Sequence, residues 1–194
     1  MTAERLPPDD ARADAPDHDH RDDVATVRAQ LGRPARGRWQ VASRCRLGLP
    51  VLLEAHPVLD DGAPFPTLYW LTCPLARRRV SRLEQQGGVR AWTERLERDP
   101  DLRAAFERAQ ADYAAARAAR LPAGSPAHAR LRGGVGGSEG GGVKCLHAHY
   151  AHARAGGDNP VGRDVAAQVE PLDCATPCVV AGQRSPGWRE PCKE

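Results

Sequence analysis

Thr67-Leu68-Tyr69-Trp70-Leu71-Thr72-Cys73-Pro74 is the stretch on which the fold turns. Its first six residues are β-branched, aromatic or aliphatic, the composition of a strand. Pro64 and Pro66 precede it, as suits a strand start or a sheet edge. Cys73-Pro74 then closes the strand, and the text beyond it changes period. Before it, Trp39-Gln40-Val41-Ala42-Ser43 alternates apolar with polar residues, and Pro50 to Glu54 forms a second short apolar run. Asp60-Asp61-Gly62 marks a turn between them and the strand. An antiparallel sheet of about three strands is expected in the first half.

Helical spacing dominates after Pro74. Val80 and Leu83 precede a break at Gly87-Gly88, and Val89, Trp92 and Leu96 recur at helix period. Asp99-Pro100 supplies a capping carboxylate followed by proline at the first helical position. Leu102, Phe106, Ala109, Tyr113 and Ala116 then step along one face of a long helix ending near Leu121-Pro122. Val143 onward reads as another helix, stopped by Gly156-Gly157, and Val161 to Val169 as a last short one. A further helix is expected over Val24 to Leu31. The fold class is therefore α+β: a small antiparallel sheet packed on three or four helices from the second half.

Three regions are expected along the 194 residues: an acidic, disordered tail at 1–23, one domain at 24–170, and a poorly ordered Cys/Pro segment at 171–194. The formal charge of +3 hides a split, because residues 1–23 carry −5 and leave +8 on the rest. Only Lys144 and Lys193 are lysines among 28 basic residues, and the arginines are scattered with few aromatics between them. Nucleic acid is therefore not an expected partner. No apolar run reaches the ~18 residues of a membrane span, and the polar start does not read as a secretory signal. The expected compartment is the cytoplasm, where thiols stay reduced.

Six cysteines then call for another explanation than disulfides: Cys45, Cys73, Cys145, Cys174, Cys178 and Cys192. In Cys145-Leu146-His147-Ala148-His149-Tyr150-Ala151-His152, the residues Cys145, His149 and His152 fall at i, i+4 and i+7, one face of a helix. His147 joins them if Cys145 sits in the preceding turn. Cys45 and Cys73 stand at predicted strand ends, which can converge on a helix N-terminus. Cys45, Cys73 and Cys145 with His147, His149 or His152 are thus expected to hold zinc or an iron–sulfur cluster. The alternative for Cys45 and Cys73 is that of small core hydrophobes. Cys174-x-x-x-Cys178 with Cys192 reads as a weaker metal clip or as unstructured thiols.

Two further chemistries compete. Cys145 follows Lys144 near a helix start and can be read as a nucleophile with His149 as its base. Residues 132–142 contain seven glycines. Gly136 and Gly137, with Lys144 and Arg163, can be read as an anion site for a phosphorylated or nucleotide substrate, or the stretch as a flexible loop. Arg77-Arg78-Arg79 reads as a solvated helix face, and in an adaptor the Arg-rich helix around Arg77 to Arg95 would dock a division or envelope partner.

The segments Asp61 to Pro74, Ser81-Arg82-Leu83-Glu84, Val143-Lys144-Cys145-Leu146-His147-Ala148-His149 and Asn159-Pro160-Val161-Gly162 together resemble the bacterial domain of unknown function family 501, over about residues 24–168. The resemblance implies no activity. It implies, through gene neighbourhood alone, an association with a septum-formation protein or with polyphosphate metabolism.

Overall fold

The computed structural model describes residues 20–138 and 142–191. Three strands form an antiparallel sheet in the order β1-β2-β3: β1 (Trp39–Arg44), β2 (Pro50–Ala55) and β3 (Tyr69–Leu71). Trp39 pairs with Ala55, Val41 with Leu53, and Leu53 with Trp70. The central strand is the most apolar, and Val51, Leu52 and Leu53 are fully buried on it. The tight turn between β1 and β2 is closed by hydrogen bonds Cys45 N to Leu49 O and Gly48 N to Cys45 O.

Among the described residues seven α-helices follow or precede the sheet: α1 (His20–Leu31), α2 (Pro74–Gln85), α3 (Gly88–Arg98), α4 (Pro100–Ala118), α5 (Ala127–Arg130), α6 (Leu146–Arg154) and α7 (Pro160–Val169). This is the expected α+β class, with more helices than the three or four foreseen. The caps explain several boundaries. Asp99 accepts from Leu102 N at 2.9 Å to start α4, and Asn159 accepts from Gly162 N at 2.9 Å to start α7, each followed by proline. Gly87, at φ +85°, separates α2 from α3. Cys145 is the N-cap of α6, its Sγ accepting from Ala148 N at 3.3 Å, so this helix starts at Leu146 and not at Val143.

Helix α6 sits at the centre, packed on β3, α2 and α7. One core joins Val51 and Leu71 of the sheet to Leu75, Val80, Trp92, Leu96, Phe106, Leu146, Tyr150, Val161, Val165 and Val169 of the helices. Leu68, Tyr113 and Val135 form a smaller cluster beside it.

Three sequence expectations are corrected here. Of the disordered tail expected over 1–23, residues 1–19 lie outside the described residues, but Asp23 is a buried part of α1. It holds Arg44 through paired hydrogen bonds of 2.8 and 2.7 Å. The arginine run is not a uniform solvated face: Arg79 is only 5% exposed and donates to the carbonyls of Val169 and Pro171, both at 2.7 Å. Those bonds, with ion pairs from Arg79 to Asp173 and Glu190, anchor the segment after α7. Residues 170–191 are accordingly a docked arm rather than a loose tail. The arm carries a hairpin, β4 (Val179–Val180) and β5 (Gln183–Arg184), and buries Leu172, Cys178 and Trp188. Among the described residues no helix is long and apolar enough to cross a membrane.

Candidate functional site

A cleft of about 720 Å³ opens between the end of the sheet, α2 and the start of α6. Segments distant in sequence build it. Tyr69, Trp70 and Leu71 come from β3, Arg77, Arg78 and Ser81 from α2, Lys144, Cys145 and His147 from the entry to α6, and Arg184 from the arm. No carboxylate is among its lining residues. Arg77, Arg78, Lys144 and Arg184 form no ion pair among the described residues, whereas Arg79 and Arg82 on the same helix do. Burial, and then the neighbouring charges of Arg184 and Arg33, lower the Arg77 pKa from its usual value. A cleft with several uncompensated cations attracts an anion.

At one edge of the cleft, α2 and α6 bring Glu84, Cys145 and His147 together. One ligand atom from each lies within 4.8 Å of the others, and all three side chains are half-buried. Glu84 Oε1 accepts from Leu146 N at 2.6 Å and stands 3.1 Å from His147 Nδ1. His147 Nε2 lies 3.2 Å from Arg77 O and 3.4 Å from Ser81 Oγ. The capping role of Cys145 decides this arrangement. With Cys145 outside the first turn, His147 projects toward α2 beside the thiol, the contingency the sequence left open. Glu84 is the member that sequence reasoning missed. Its signal was its place in Ser81-Arg82-Leu83-Glu84, one helical turn past Ser81.

His149 and His152 go elsewhere. His149 is fully buried against Phe106, with ring centroids 5.5 Å apart, and its Nδ1 meets Asn159. His152 stacks on Tyr69 and meets the Tyr113 edge, and Asn159 Nδ2 lies 3.2 Å from its Nδ1. Burial pushes both imidazoles down to about 4. They are neutral core residues, and His149 is engaged with Asn159 and Phe106. Burial also raises the Cys145 thiol, with Glu84 adding to it, while the amides of Ala148 and His147 and the charge of Lys144 pull the other way. An unassisted thiolate is therefore disfavoured there.

Cys45 and Cys73 do not reach this cluster. Cys73 and Cys178 are part of the main core, and Cys45 and Cys174 pack against it. Burial pushes the Cys73 thiol up to about 12. Cys192 lies outside the described residues.

The glycine stretch is organised from within. Arg117, fully buried, donates to Pro66 O at 3.0 Å, Leu131 O at 2.6 Å and Gly133 O. Val135 N donates to Gln110 Oε1 at 2.6 Å, and the amides of Gly134, Gly137 and Ser138 bond within the loop. These amides are spent, so an anion in the cleft would meet side chains instead. Gly136 lines the cleft, but Gly137 packs toward Pro66, and Arg163 pairs with Asp158 away from it.

These features describe an α+β protein with a cation-lined cleft and a glutamate–cysteine–histidine cluster at its edge. The family model described as "Protein of unknown function (DUF501)" matches residues 41–167, and the chain belongs to that family. No curated protein and no solved structure matches it.

Proposed function

We propose that this protein binds a phosphorylated, polyanionic ligand in the cleft beside a divalent metal held by Glu84, Cys145 and His147. The observation that carries the reading is the convergence of those three donors at the edge of a cleft whose four cations lack carboxylate partners. Carboxylate, thiolate and imidazole are all zinc ligands, and three protein ligands leave a position for water or substrate. Iron–sulfur clusters are held by cysteine thiolates, so this mixed set favours a mononuclear zinc. Zinc would favour the thiolate form of Cys145 and polarise a bound phosphoryl oxygen. Arg77, Arg78, Lys144 and Arg184 would hold the remaining phosphate oxygens. The polyphosphate association implied by the family resemblance makes short polyphosphates the first probes, and the cytoplasm the expected setting. A role in cell division has no support of its own in the geometry.

Calorimetry with zinc, then with tripolyphosphate, tests the proposal. Zinc binding at the cleft should be lost in Cys145→Ser and in His147→Ala. Tripolyphosphate binding should weaken about tenfold or more in the Arg77→Ala, Lys144→Ala double variant, and fall with rising salt. Unchanged zinc binding in both single variants, or no heat with tripolyphosphate in the zinc-loaded protein, would overturn it.

A further inference from the structure

We infer that Cys45, Cys73, Cys174 and Cys178 form a second, structural metal site, a four-thiolate zinc centre that staples the C-terminal arm to the end of the sheet. The four cysteines come from three parts of the chain, the β1–β2 turn, the end of β3 and the arm, which hydrogen bonds join at one corner of the fold. Cys45 follows β1 in the turn that returns to Pro50, and Cys73 N lies 3.4 Å from Val51 O on the neighbouring strand. Gln30 of α1 then links the arm to this corner, donating to Pro50 O at 2.9 Å and reaching Cys178 Sγ at 3.8 Å. Arg46, next to Cys45, donates to Cys174 O at 2.7 Å. Cys73 and Cys178 are buried in the main core, and Cys45 and Cys174 pack against it. Cys45 and Cys178 lie near enough to Cys73 to act on it electrostatically, as Cys45 and Cys174 do on Cys178.

The donors around the sulfurs suit thiolates. The Gln30 side-chain amide donates to Cys178 Sγ at 3.8 Å. A neutral thiol is a weak acceptor, whereas a metal-bound thiolate uses such N–H groups fully. Among the described residues no three of these sulfurs lie within 4.8 Å of one another, so the metal-free cluster is open. Zinc would close it by rotation of the side chains. Four thiolates also satisfy a structural zinc completely, unlike the open donor set at Cys145. The arm carries Arg184 into the cleft, so the staple would fix one cleft cation from a distance.

This site is independent of the cleft metal, and the test separates them. Cys145→Ser and, in parallel, His147→Ala remove cleft ligands only. Zinc-grown protein carrying either change should retain one zinc per chain, with an all-sulfur shell at about 2.3 Å by X-ray absorption. Adding Cys178→Ser or Cys174→Ser should remove that zinc and speed proteolytic cutting after Glu170, and chelation of the parent variant should do the same. A zinc-free Cys145→Ser protein that keeps a protected arm would overturn the inference. So would a mass two hydrogens below the reduced value without reductant, mapped to a bridge between two of these four cysteines.

Discussion

Glu84 reaches from α2 to set a carboxylate oxygen 3.1 Å from Nδ1 of His147, joining two helices that the sequence separates by more than sixty positions. The same oxygen accepts the amide of Leu146 at 2.6 Å, so one carboxylate both caps α6 and orients its first histidine. Glu84→Gln keeps an acceptor for the amide but removes the charge. Glu84→Ala removes both. Urea unfolding should therefore rank the metal-free proteins wild type, then Gln, then Ala, with Ala lower by about 1–2 kcal/mol. Equal stability of the two variants would mean that the cap contributes nothing.

Arg117 lies under the glycine loop without a carboxylate partner among the described residues, its charge met by backbone carbonyls. Burial lowers its pKa, yet a guanidinium stays charged. Arg117→Met would leave several carbonyls without donors, at a cost of about 3 kcal/mol. Arg117→Lys would recover little, since one ammonium cannot span the same acceptors. A thermal melt gives the ranking, and proteolysis within residues 131–138 should accelerate in both variants. Near-wild-type melting of Arg117→Met would contradict this account of the loop.

Protonation of the core histidines sets an acid limit on stability. His149 and His152 titrate near 4 when folded and near 6.5 when unfolded, so below 6.5 the unfolded chain binds more protons. Their contribution is complete above about pH 6.5 and is lost as pH falls toward 4. The slope approaches about 1.4 kcal/mol per pH unit for each imidazole. Ion-paired carboxylates such as Glu190, held below its usual value by Arg82, lose their contribution only at lower pH. Chemical denaturation at pH 7.5, 6.5, 5.5 and 5.0 should show the decline beginning near 6.5. A flat profile down to pH 5 would exclude neutral burial of both rings.

Helices α6 and α7 touch through a glycine. A Cβ at Gly162 would stand 2.2 Å from His149 O and 2.6 Å from the Ala153 methyl. Gly162→Ala must therefore push the helices apart, destabilising the fold by about 2–3 kcal/mol. Gly156 has φ +93° and open space around it, so Gly156→Ala meets only backbone strain, about 1 kcal/mol. Comparing the two denaturation midpoints tests the difference, and equal losses would refute close helix packing as the reason for Gly162.

Local chemistry made much of the fold legible. Asp99-Pro100 and Asn159-Pro160 are capping pairs whose meaning depends on adjacent atoms, and both start helices as read. The three strands also emerged from alternation and turn residues, though β3 is shorter than its apolar run. The docked arm was less legible, because its order depends on Arg79, an arginine nearly a hundred residues upstream.

From the sequence alone came the class of fold and the helix around His149. Only the tertiary structure decided which imidazole lies beside Cys145. Helical spacing ranks side chains by face, but the neighbour each face meets decides what they do. His149 and His152 meet Phe106, Tyr69 and Tyr113 and become core, while His147 meets Glu84 of α2 at the edge of the cleft. Those neighbours arrive from distant segments through burial of apolar surface, which is non-directional and leaves no local mark in the residues it brings together.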